Sequence, residues 1–144
     1  MSLLRIEQPD DEASLTDWQH VHNRIIPTHR LSLDEVRERS GRNHLEVAYL
    51  DDVLAGCSTV RPPEDGTATV IARVLPGHRG RGLGRRLYAR GLERARDLGA
   101  EVVETVVLAS NTEGLRFAER QGFVEVERYL LPGETIPWYT LRLS

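Results

Sequence analysis

Apolar residues recur along this chain first with a period near two, then near three and a half, and the succession predicts its elements. Residues 3–7 alternate as a short strand. Pro9 and the acidic pair Asp10 and Asp11 close it and prepare a helix start, where negative charge meets the positive end of the helix dipole. Between residues 13 and 26, Leu15, Trp18, Val21, Ile25 and Ile26 return at three- and four-residue steps, an amphipathic helix with Trp18 in its core stripe that Pro27 ends. Ser32 and Glu35 form a capping-box pattern for a second, shorter helix, with Gly41 as its expected stop.

Residues 45–50 and 53–61 then read as strands joined by the tight hairpin signal Asp51-Asp52. Pro62-Pro63-Glu64-Asp65-Gly66 reads as a turn, and the β-branched run 67–74 as the third strand of a meander. Residues 82–98 are helical, with Leu83, Leu87, Tyr88, Leu92, Ala95 and Leu98 on one side and Gly99 as the cap. Residues 102–108 are nearly continuous in apolar residues, as in a strand covered on both faces. Ser110 and Glu113 suggest a second capping box, opening a helix that runs to Gln121 and ends at Gly122. Strands at 123–130 and 138–143 follow, separated by the turn Pro132-Gly133. The predicted order is β-α-α-β-β-β-α-β-α-β-β, in a single domain over residues 1–144, with no repeat or interdomain linker.

Composition narrows the class of protein. Charged residues make up 28% and hydrophobic residues 40%, ordinary for a globular chain, and no apolar run is long enough to span a bilayer. The first residues lack the basic segment and apolar core of a signal peptide, so a cytoplasmic location is expected. The lone cysteine, Cys57, cannot form an internal disulfide and reads as a small buried strand residue. A net charge of −3 offers no general attraction to nucleic acid or anionic membrane, so neither is an expected partner. No Cys-x-x-Cys or comparable ligand spacing points to a metal. The 19 basic residues are all arginine, and many crowd residues 73–96.

Within that crowd, residues 74–84 read Val-Leu-Pro-Gly-His-Arg-Gly-Arg-Gly-Leu-Gly, between a strand and a helix. Gly80, Gly82 and Gly84 allow positive φ and leave no Cβ over the turn, so backbone N–H groups can converge on an anion at the helix N-terminus. Two other phosphate loops fail on the residues. A Walker A loop needs lysine, which the chain lacks, and the spacing is not Gly-x-Gly-x-x-Gly, nor do the preceding strands form a βαβ unit.

Arg79-Gly80-Arg81-Gly82-Leu83-Gly84 resembles the Arg/Gln-x-x-Gly-x-Gly/Ala signature of the Gcn5-related N-acetyltransferase (GNAT) superfamily. Val74-x-Pro76 before it and the block from Asn111 to Phe123 after it match as well, and the element order agrees over essentially the whole chain. The resemblance implies an α/β (α+β) fold with a mixed, mostly antiparallel central sheet of about six to seven strands flanked by about four helices. It implies acetyl-CoA as co-substrate, held in a V-shaped opening between the strand ending at Val74 and the strand from Val102. Pantetheine would pair with the backbone of Arg73, Val74 and Leu75, and pyrophosphate would lie on Arg79, Gly80, Arg81, Gly82, Leu83 and Gly84. Asn111 would contact pantetheine while capping its helix. Arg85, Arg86, Arg90 and Arg94 read as a solvated helix face from which one or two could reach the nucleotide.

The implied reaction is direct acetyl transfer to a primary amine of a small molecule. A catalytically silent acyl-CoA sensor and a protein or peptide N-terminal acetyltransferase are the alternatives, and a homodimer is allowed as the assembly. Two features of the family pattern are missing: Ala118 stands where many relatives place a tyrosine acid, and Val106 where some place a glutamate base. Glu104, two residues or about 7 Å earlier on the same strand face, is the candidate replacement base. Tyr129, or an ordered water, is the candidate acid. On the acceptor side, His20 and Arg24 share a face of the first helix with Asn23 and are the candidate acceptor-binding pair, with His22 pointing elsewhere.

Overall fold

The computed structural model describes residues 3–143. Seven strands form one sheet in the order β1-β2-β3-β4-β5-β7-β6. They are β1 (Leu4–Glu7), β2 (His44–Leu50), β3 (Val53–Glu64), β4 (Thr67–Val74), β5 (Val102–Leu108), β6 (Phe123–Tyr129) and β7 (Trp138–Leu143). Four α-helices accompany them: α1 (Glu12–Ile25), α2 (Leu33–Arg42), α3 (Leu83–Asp97) and α4 (Thr112–Arg120). This is the mixed, mostly antiparallel α/β architecture expected, and every neighbouring pair is antiparallel except β4 with β5.

The period-two alternation of the central strands sends side chains to two helical layers. Leu45, Val47, Tyr49 and Cys57 pack against Leu15, Trp18 and Val21 of α1. On the other face, Ala48 and Ala55 meet Leu83 and Leu87 of α3, and Val60, Ala68 and Val70 meet Tyr88 and Ala95. Asp51 and Asp52 both take positive φ (51° and 64°), as a two-residue primed hairpin turn requires.

Three local expectations change. Gly41 lies inside α2, which runs on to Arg42 and is capped at Asn43. One glycine costs a helix only about 1 kcal/mol, so it does not by itself stop one. Pro62 and Pro63 belong to β3, whose register with β4 shifts between Arg61 and Glu64, so the ladder does not need their missing N–H donors. The turn is Asp65-Gly66 alone, again with positive φ at both residues (53° and 83°). The cap of α4 is Asn111, whose side chain accepts from the Gly114 N–H at 3.1 Å, and Ser110 is not the cap.

The parallel β4–β5 contact decides what the fold can do. Its register covers only Thr67↔Val102, Ala68↔Val103 and Thr69↔Glu104. Beyond Thr69 the strands diverge, leaving the rest of each without its neighbour.

Candidate active site

The divergence opens a cavity of about 440 Å³ whose walls are Ile71, Ala72, Arg73 and Val74 of β4 and Val106, Val107 and Leu108 of β5. Its floor and ends come from the N-terminal turns of α3 and α4, and from Ile25 and Ile26 at the end of α1. The donor half is built by local sequence. Pro76–His78 makes one 3₁₀ turn, and the chain enters α3 through Gly80 and Gly82, at φ 81° and 78°. A Cβ on either would meet nothing within 4 Å, so the space above the turn is open and the N–H groups at the start of α3 line it. Gly84 serves differently: a Cβ there would come 2.9 Å from the Phe117 ring, so its absence lets α3 and α4 close together.

Polar groups on these walls suit a phosphate-bearing ligand. Gly80, Gly82, Leu83, Gly84, Arg79 and Arg85 all line the cavity, and so does His78, whose buried Nδ1 has no hydrogen-bond partner. Arg79 Nε donates to the Val74 carbonyl at 3.0 Å, and its guanidinium makes a short ion pair with Glu113 at the start of α4. Asn111 also lines the cavity while capping α4. Leu75 and Arg81 are not on the wall: the Leu75 N–H is spent on the Ala55 carbonyl (2.8 Å), and Arg81 is exposed. Since Leu75 turns its N–H to β3, the two-residue alternation turns the backbone of Val74 and Ala72 towards the opening.

The expected catalytic and acceptor residues are placed elsewhere. Glu104 sits at the closed end of the V, where Arg142 Nη2 and Nε donate to its Oε2 at 2.6 and 3.0 Å, and it does not line the cavity. Tyr129 packs with Leu108, Trp138, Ile25 and Ile26. His20 and Arg24 lie on the exposed side of α1, and Asn23 fastens the following loop through Leu31. The helix turns His22 inward instead. It is 4% exposed, stacks on Trp18 and hydrogen-bonds the His29 carbonyl through Nε2 at 2.9 Å. Burial, reinforced by Arg73, lowers the His22 pKa to about 4.

Two wall residues were not expected. Tyr88, read as core from its place in the α3 stripe, lines the cavity, with its hydroxyl 3.2 Å from Thr105 Oγ1. A buried phenol needs a partner, which was the available signal. Burial raises its pKa, so the phenol stays protonated at neutral pH. The other is the Arg73 side chain, 9% exposed on the wall with no ion pair or hydrogen bond. An arginine inside the β-branched run of a central strand could have been singled out on sight.

The comparisons agree with this geometry. Residues 3–123 match the model of the "Acetyltransferase (GNAT) family". The chain is 28% identical over 127 residues to mycothiol acetyltransferase of Beutenbergia cavernae, covering 80% of this chain and 43% of that protein, so it spans less than half of that relative's length. The fold is similar to yncA of Salmonella typhimurium, solved with its cofactor acetyl-CoA (TM-score 0.75, 20% identity, 97% of this chain and 92% of that one). It is also similar to a Bacillus subtilis acetyltransferase in complex with CoA (TM-score 0.72, 22% identity, 98% of each chain). With a family model matching most of its length and the signature glycines lining the cavity between β4 and β5, the chain belongs to the acetyltransferase (GNAT) family.

Proposed function

We propose that the protein transfers an acetyl group from acetyl-CoA directly to a primary amine of a small molecule. The observation that carries this reading is the V-shaped opening itself. It places an unpaired β4 backbone, the Gly80–Gly82 turn and the α3 N-terminus along one continuous wall. Pantetheine amides can add to the backbone edge at Ala72 and Val74 as an extra strand does. Pyrophosphate can lie on the N–H groups of the turn, with Arg79 supplying charge and Asn111 bordering the pantetheine arm. Acetyl-CoA supplies the activated acyl group and a thiolate that leaves readily.

The chain's own groups do the rest by positioning. Ile25, Ile26, Val106 and Leu108 make the central walls apolar, which disfavours an ammonium and favours the neutral, nucleophilic amine. The positive charge of Arg73 acts in the same direction. A dedicated base is then unnecessary, which fits the commitment of Glu104 to Arg142. Tyr88 is the tyrosine on this wall, and its raised pKa makes it the group able to hold a proton for the departing sulfur. Ala118, fully buried, cannot do so.

The test is CoA-thiol release from acetyl-CoA across a panel of primary amines. Amine-dependent release, abolished with acetyl-CoA binding in Arg79→Ala, is the expected result. Tight acetyl-CoA binding with no release for any amine would instead identify an acyl-CoA sensor.

A further inference from the structure

Among the described residues, two carboxylates drawn into the fold, Glu46 and Glu104, are each paired with an arginine, but one group of arginines is not paired at all. Glu46, on the α3 face of β2, is 7% exposed and receives both Arg90 Nε (3.0 Å) and Nη2 (2.7 Å). Glu104 receives Arg142. Arg73 is as buried as Glu46, yet no carboxylate or carbonyl among the described residues meets its guanidinium. The titratable groups that face it are the neutral Cys57 thiol and Tyr88 phenol together with Arg61 and Arg39, and both of these arginines are partly buried and likewise without an ion pair or hydrogen bond. Burial holds each of the three below the ordinary arginine value; Arg61 and Arg39 add to the effect at Arg73, Arg39 adds to it at Arg61, and Arg42 adds to it at Arg39, where Glu35 and Glu38 oppose it.

The topology explains the convergence. Cys57, Thr59 and Arg61 share one face of β3, and their partners across the ladder are Arg73, Ile71 and Thr69 of β4. That face lies under α1 and α2, and α2 contributes Arg39. It is the face opposite α3, so the three arginines stand across the sheet from the helix whose N-terminus faces the pyrophosphate turn. Two more polar atoms on it lack partners: the Thr59 hydroxyl and His22 Nδ1 are buried with no hydrogen bond. Glu35 and Glu38 act on Arg39 without forming an ion pair, so no carboxylate among the described residues meets any of the three guanidiniums, and the arginines, the free hydroxyl and the imidazole form a site that an oxyanion from outside the chain would complete.

We propose that Arg73, Arg61 and Arg39 bind a carboxylate or phosphate carried by the acceptor, so that the substrate is a small anionic primary amine. The inference rests on the acetyltransferase reading. Arg73 is the member on the cavity wall, which places the anion beside the opening and leaves the amine to reach between β4 and β5. Planar guanidiniums suit either oxyanion, and burial makes each contact stronger than on an open surface.

Two matched pairs of acceptors separate the oxyanion sources: 4-aminobutyrate against 4-aminobutyramide, and O-phosphoethanolamine against ethanolamine. One anionic member should exceed its neutral counterpart at least tenfold in kcat/KM. Arg61→Gln and Arg39→Gln should each remove about tenfold of that preference, through KM, with acetyl-CoA affinity unchanged, as the loss of one charge-assisted contact predicts. Neutral members turned over as well as anionic ones would overturn the proposal while leaving acetyl transfer intact. A second measurement does not depend on turnover. With saturating CoA in place, inorganic phosphate and citrate should raise the melting temperature of the wild type, and this gain should shrink in Arg61→Gln. No gain from either anion overturns the site, whereas a gain without turnover of any amine keeps the site and removes the transferase reading.

Discussion

Arg90 and Arg73 lie on opposite faces of the same sheet, and their surroundings make them opposites in energy. Arg90 reaches from exposed α3 to a buried carboxylate and makes two hydrogen bonds to it. Burial by itself would push Glu46 up, and Arg90 together with His44 more than offsets this, leaving the carboxyl below its usual range. Arg73 is buried with no such partner and has two further arginines near it. A desolvated charge with a partner holds elements together; one without a partner lowers stability unless something binds it. A protein that keeps the second kind beside its cavity is keeping it for a ligand.

Breaking the paired side should have the largest effect. Arg90→Met leaves Glu46 with His44 alone, 3.4 Å away, and should lower stability by about 2 kcal/mol, a fall of roughly 5–8 °C in melting temperature by calorimetry. The pH dependence of stability comes next. His22 binds a proton near pH 6.5 when unfolded but only near pH 4 when folded, so between these values the unfolded state holds more protons. Stability therefore falls as pH is lowered through that window, and melting curves taken at half-unit steps should show it. The slope should be shallower in Arg73→Met, which removes one of the positive charges opposing the imidazolium.

The unpaired side should respond with the opposite sign. Arg73→Met removes a desolvated charge and keeps an apolar stem, and should raise stability by about 1 kcal/mol in urea unfolding while weakening acceptor turnover. A stability loss of the size expected for Arg90→Met would mean that Arg73 has a structural partner after all. The smallest effect belongs to Glu113, whose carboxylate holds Arg79 at the rim of the donor site. Glu113→Gln frees that arginine and removes a negative charge, so acetyl-CoA should bind a few-fold more tightly by titration calorimetry, an exposed pair being worth under about 1 kcal/mol.

The same contrast explains what was legible beforehand. The glycines, Arg79 and Asn111 lie within short stretches, where spacing alone fixes which groups meet, whereas Arg81 from the same stretch is exposed and off the wall. Glu104 was misleading because strand alternation gives its face but not its neighbour. β7 supplies Arg142 from the far end of the chain. His20 and His22 differ by two positions on α1, and only the packing of Trp18 shows which one turns inward. Val106 and Ala118 disclosed which side chains were absent, whereas finding Tyr88 on the wall required knowing where β4 leaves β5.

By itself, the sequence determined the element order, a helix start after the acidic pair Asp10 and Asp11 and another at Ser32, and a glycine turn fit for an anion, because each depends on interactions within a few residues. The tertiary structure decided where β4 and β5 part and which arginines find a carboxylate. It also decided which three, drawn from α2, β3 and β4, come together without one. Charge pairing between distant elements depends on register and layer, and no local pattern encodes either.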